Sequence, residues 1–110
     1  MNVVTLVGRL GADPDFNETS GGAEMARFSL ATNRRERRGE GDWVTVADWH
    51  RVVCFGATAK NTVDFLRKGS EAAVEGRIQT RSWEDNEGNK RTVTEVVAHR
   101  VHFIGGRKDG

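Results

Sequence analysis

Only one stretch of the 110-residue chain carries apolar residues at helical spacing. In TAKNTVDFLRKG, residues 58–69, Ala59, Val63 and Leu66 recur at intervals of four and three, which is the period of one helix face. Elsewhere the apolar residues alternate or run in β-branched series, the signature of strands. The chain must therefore fold as strands with a single short helix. Thr58 is the expected N-cap, Arg67 and Lys68 suit the negative end of the helix dipole, and Gly69 supplies a left-handed terminus.

The strands follow in order. VVTLVGRL, residues 3–10, is the first, and GADPD turns the chain. AEMARFSLAT, residues 23–32, sets Met25, Arg27 and Ser29 on one face and Ala26, Phe28 and Leu30 on the other. RRERRGEGD, residues 34–42, is charged and contains two glycines, so a mobile hairpin loop is expected before the long strand WVTVADWHRVVCFG. Residues 71–83 return to strand, with Ala72, Val74 and Ile78 opposite Glu71, Glu75, Arg77, Arg81 and Trp83. WEDNEGNKR forms a polar tip and TVTEVVAHRVHFI the last strand. Three strands, a helix and two strands give an all-β chain with one short helix, the order of the five-stranded Greek-key barrel called the OB-fold, here with long hairpin loops. Gly8, Gly56 and Gly76 fall where such a barrel needs bends or close backbone approach. One domain, residues 1–105, is expected, with a flexible end at 106–110.

Composition narrows the function. With 36% hydrophobic and 30% charged residues the chain suits a globular domain. No apolar run approaches the ~20 residues of a membrane span, and the start lacks the pattern of a signal peptide, so a cytoplasmic protein is expected. Cys54 is the only cysteine, which excludes an intrachain disulfide and paired-thiolate metal sites and leaves a small buried hydrophobe. His50, His99 and His102 have no metal-ligand spacing, and no nucleophile elbow or phosphate-cradling glycine motif occurs. Neither an enzyme nor a bound cofactor or metal is expected.

Binding is the stronger reading. In ADWHRVVCFG, residues 47–56, Trp49, Arg51 and Phe55 share one face of a strand, with His50, Val52 and Cys54 on the other. Trp83 repeats the pairing with Arg81 and Arg77. Trp43 has the parity of Trp49, and a bulge between them would separate the two. Arg27, Arg34, Arg35, Arg37 and Arg38 lie within twelve residues, and arginine far outnumbers lysine, a bias suited to stacking and phosphate pairing. Taken singly, each aromatic fits a core position with an arginine lying across it. Repetition on two strands favours a surface for single-stranded nucleic acid, whose bases stack on rings and whose phosphates pair with guanidinium groups.

These motifs resemble the bacterial single-stranded DNA-binding protein family from residue 2 to about 106: NVVTLVGRLGADPD, MARFSLAT, DWHRVVCFG, FLRKGS, VEGRIQTRSWED and TEVVAHRVHFIG. The resemblance implies an OB-fold that binds single-stranded DNA without strong sequence preference in replication, recombination and repair. A homotetramer is the implied assembly, a homodimer the alternative. It also implies stacking at Trp49, Phe55 and Trp83, phosphate contacts near Arg9, Arg27, Arg34, Arg35, Arg51, Arg77 and Arg81, and a subunit contact near His50. The family often has a further tryptophan after its second strand, where this chain has Arg35 and Glu36; Trp43 is one substitute, stacking by Arg34 and Arg35 another. Family members usually continue into a linker and an acidic tip that recruits replication and repair proteins, whereas this sequence ends in GGRKDG. Such partners are expected only if a tail belongs to the protein. A protein-interaction module and an RNA-binding barrel of the cold-shock type are the rival readings.

Overall fold

The computed structural model describes residues 1–106. Its strands are β1 (Val4–Leu10), β2 (Asp15–Glu18), β3 (Glu24–Arg38), β4 (Asp42–Phe55), β5 (Glu71–Glu84) and β6 (Lys90–Gly105), with one helix, α1 (Gly56–Phe65), between β4 and β5. The sheet order β1-β5-β6-β4-β3-β2 is closed by a second pairing of β1 with β3. Five strands, β1, β3, β4, β5 and β6, thus form a closed barrel. β4 and β6 run parallel, in register at Val52 with Val96 and Val53 with Val97; the other pairs are antiparallel.

The inward face follows the alternation of the sequence. Ala26, Phe28 and Leu30 of β3, Val52 and Cys54 of β4, Ala72 and Val74 of β5, and Val96 and Ala98 of β6 are buried with Leu10, Ala59 and Leu66 in one cluster. Each large aliphatic side chain removed from water there contributes about 1.5–3 kcal/mol. Burial pushes the Cys54 thiol above its ordinary value, partly offset by hydrogen bonding with Thr62. Closing so small a barrel brings backbones together: a Cβ at Gly8 would collide with the Ala31 carbonyl, and one at Gly76 with the Val97 carbonyl.

Four local expectations give way. The arginine-rich segment is not a loop; β3 runs on to Arg38 and pairs with β4 without a break from Met25–Phe55 to Arg38–Asp42, leaving only residues 39–41 to reverse the chain. Cross-strand pairing and the ion pairs of Arg34 with Asp48 and Glu36 overcome the poor strand propensity of the charges. Second, a sixth strand joins the five expected: residues 15–18 form the short exposed β2 against β3. Third, α1 starts at Gly56, not after Thr58; Phe55 occupies the N-cap without a side-chain bond, because closure of the barrel at Cys54 turns the chain there. At its other end α1 stops at Phe65 with Leu66 as an extended C-cap, so the left-handed Gly69 lies beyond the helix; Arg67 still donates to the carbonyls of Val63 and Leu66. Fourth, Ile78 is 47% exposed, for it lies past the last pairing of β5 with β1 at Gly76. Residues 107–110 of the expected flexible end lie outside the described residues.

Beyond the barrel both long hairpins continue as arms. β3 meets β1 only as far as Ala31 and β4 meets β6 only at Val52 and Val53, so residues 32–38 and 42–51 have just each other as strand neighbours. Past Gly76 and Val96, β5 and β6 likewise extend as a pair toward the Asp85–Asn89 turn. The arms stretch the molecule to 53 × 37 × 31 Å.

Candidate nucleic-acid interface

Ladder partners point to the same side of a sheet, so the register alone assembles the surface. Arg27 pairs with Val53, Val53 with Val97, and Val97 with Arg77. This row crosses four strands on the outer face, joining the cationic residues of β3 and β5 over a floor of two valines. One pair nearer the hairpin tips, Ser29 faces Arg51 on the first arm and Gln79 faces Glu95 on the second. Next come Ala31 opposite Trp49, and Arg81 opposite Val93. The two aromatic and cationic sets of the sequence therefore lie on one continuous outer face.

The aromatics on it are exposed: Trp49 59%, Phe55 45%, Trp83 44% and Trp43 53%. Uninterrupted pairing of β3 with β4 means that no bulge separates Trp43 from Trp49. Trp43 stands opposite Arg37 near the tip, and the Arg35 guanidinium lies 5.5 Å from its ring centroid. Trp49 lies close over the backbone of Gly11, in the connection from β1 to β2. Between that connection and β3–β4 is a concavity of about 300 Å³ lined by Asp13, Asp15, Arg27, Ser29 and Arg51. A second, of about 220 Å³, opens where the arms diverge, between Trp49 and Arg51 on one side and Ile78 and Glu95 on the other.

The remaining expected residues have other surroundings. Arg34 has the opposite parity and projects to the other side of its arm, where Nε donates to Asp48 at 2.8 Å. Arg9 donates to the Gly69 carbonyl at 2.9 Å and approaches Glu71 at 4.0 Å. By register Arg9 shares the outward row of Ala31 and Trp49, but its head is held by Gly69 and Glu71; Arg34 alone lies on the other side. His50 shares the inner side with Leu30 and is half-buried, its Nε2 2.7 Å from the Thr32 hydroxyl. Among the described residues no group of three or more His, Cys, Asp or Glu is placed to hold a metal ion, and no helix is long and apolar enough to cross a membrane.

Two contributors escape a reading of the sequence. Gly11 makes room for Trp49, and Glu95, 4% exposed, sits among the cations of the outer face. Both act through contacts between residues far apart in the chain, which alternation does not encode.

The family model described as the single-strand binding protein family matches residues 1–104. Single-stranded DNA-binding protein 3 of Listeria innocua is 44% identical over 110 residues, covering 100% of this chain and 68% of that protein. Single-stranded DNA-binding protein 2 of the same organism is 48% identical over 104 residues, covering 94% and 64%. The chain thus spans about two thirds of the length of these curated relatives. A solved structure described as a Plasmodium falciparum SSB complex with ssDNA superposes with a TM-score of 0.83 at 33% identity, over 94% of this chain and 95% of the other.

Proposed function

The chain belongs to the single-strand binding protein family, and on that footing we propose that it binds and covers single-stranded DNA without strong sequence preference, in replication, recombination and repair. The observation that carries this reading is the outer face itself, where exposed rings on two arms share one sheet surface with Arg27, Arg51 and Arg77. Duplex DNA hides its bases from such rings, whereas a single strand offers each one. Bases stack on Trp49, Phe55 and Trp83, with Trp43 and Arg35 extending the track toward the tip. Phosphates pair with Arg27, Arg51 and Arg77; Arg9 and Arg34, whose heads are already bonded, are left out. Each stacked base contributes roughly 1–3 kcal/mol by alanine substitution, not additively. Binding is the whole activity, with no bond made or broken. The working unit is a homotetramer in the cytoplasm, with His50 beside a subunit contact.

Tryptophan fluorescence titrated with oligo-dT, duplex DNA and oligo-U at two salt concentrations tests the proposal. Strong quenching by oligo-dT, weakened by salt, is expected. Quenching by duplex but not by oligo-dT would overturn it, and preferential quenching by oligo-U would favour an RNA-binding barrel.

A further inference from the structure

Glu95 is the only buried charged side chain among the described residues, and it stands on the face reserved for a polyanion. A carboxylate there is desolvated and repels phosphate, so something must offset it. Its Oε1 accepts from Arg81 Nε at 2.9 Å and from Gln79 Nε2 at 3.2 Å. The Arg81 guanidinium, fixed at that end, lies 5.0 Å from the centroid of the Trp83 ring. Trp83 is on the protruding arm and outside the core cluster, so packing of the barrel interior does not fix its indole.

We infer that Glu95 is a positioning residue for the Trp83 stacking platform. By anchoring Arg81 it braces the indole against a guanidinium plane before any ligand arrives, which removes part of the ordering cost of binding. It also neutralises Arg81, so this arginine supports a ring instead of pairing with a phosphate. The molecule contains its own contrast. Arg35 lies 5.5 Å from the Trp43 centroid, but no carboxylate holds it among the described residues. Trp83 is thus a preset platform and Trp43 an adaptable one.

The inference rests on the single-strand reading for its purpose, though not for the brace itself. Its test uses protein in which Trp83 is the sole tryptophan, Trp43 and Trp49 being replaced by Phe, with and without Glu95→Gln. Time-resolved anisotropy without DNA should show Trp83 less mobile than a sole Trp43. Glu95→Gln should raise the amplitude of fast Trp83 motion about twofold, as expected for a ring that loses its cationic support. With oligo-dT, the variant should steepen the salt dependence by about 0.7 in log–log slope, because Arg81 becomes available to one phosphate. Unchanged ring mobility and unchanged slope would overturn the inference. If Glu95→Gln does not fold by circular dichroism, Arg81→Lys keeps the charge but loses the Nε donor, and must mobilise Trp83 in the same way. Failure of the wild type to bind oligo-dT would remove the ligand reading while the anisotropy still decides the brace.

Discussion

Gly11 is what allows the Trp49 indole to lie down on the barrel: a Cβ at residue 11 would come within 2.5 Å of Cζ3 and 2.7 Å of Cη2. Gly11→Ala should lift the ring and leave the fold intact, since the contact is with the edge of an exposed side chain. Oligo-dT affinity should fall about five- to tenfold, the low end of one lost stack. Fluorescence titration of Gly11→Ala beside Trp49→Ala checks this, and the double variant should lose no more than Trp49→Ala alone.

Arginines that share the parity of the rings should differ from those that do not. Arg51→Ala should reduce the log–log salt slope of oligo-dT binding by about 0.7, one phosphate's share. Arg34→Ala should leave the slope unchanged and cost the fold about 0.2–1 kcal/mol, as its exposed pair with Asp48 is lost. Affinities at four salt concentrations and a urea melt separate the two.

Trp43 shares the face of Trp49 on the first arm, so under the proposed function its fluorescence should report binding. Trp43→Phe should lower the total quenching by oligo-dT and weaken affinity no more than threefold, because a phenyl ring still stacks. Unchanged quenching amplitude would place the strand elsewhere.

His50 bonds Thr32 within its own chain, yet it is only half-buried at the root of the first arm. His50→Lys puts a fixed charge at that point. A shift toward smaller species in a sedimentation dilution series is expected if a second subunit covers the site; an unchanged profile would assign His50 to the arm alone.

The tip of the second arm should be sensitive to acid. Asp85 accepts from the backbone N–H of Asn89 and Glu87 and from Arg91 Nε, and these bonds, that from Asn89 foremost, hold its carboxyl below the usual value. A carboxylate with a lower value in the folded than in the unfolded tip stabilises the folded tip fully above the unfolded value, and loses that effect as pH falls through the folded one. Amide exchange at Glu87 and Asn89 should therefore stay protected near neutrality and accelerate relative to the barrel on acidification. Asp85→Ala should remove the pH dependence and leave the tip frayed throughout.

The barrel was legible because β3 and the end of β4 are half-buried. Ala26, Phe28 and Leu30 alternate with Arg27 and Ser29, and one period decides both faces. Where strands have no core beneath them the signal fails. Residues 34–38 look like a loop because an exposed arm needs no apolar side, and Ile78 looks inward because its parity is right although the barrel has ended. The rings of the candidate site were visible by the same alternation that placed the core. Their supports were not, for Gly11 and Glu95 act across gaps of 38 residues to Trp49 and 14 to Arg81.

The arms have one more implication. Every member of the core cluster lies at or below the level where the hairpins leave the barrel, whereas Trp43, Trp49 and Trp83 all lie above it. The three tryptophans and the buried core therefore occupy separate parts of the molecule. Lengthening or recharging the arms should therefore leave closure of the barrel beneath them unchanged.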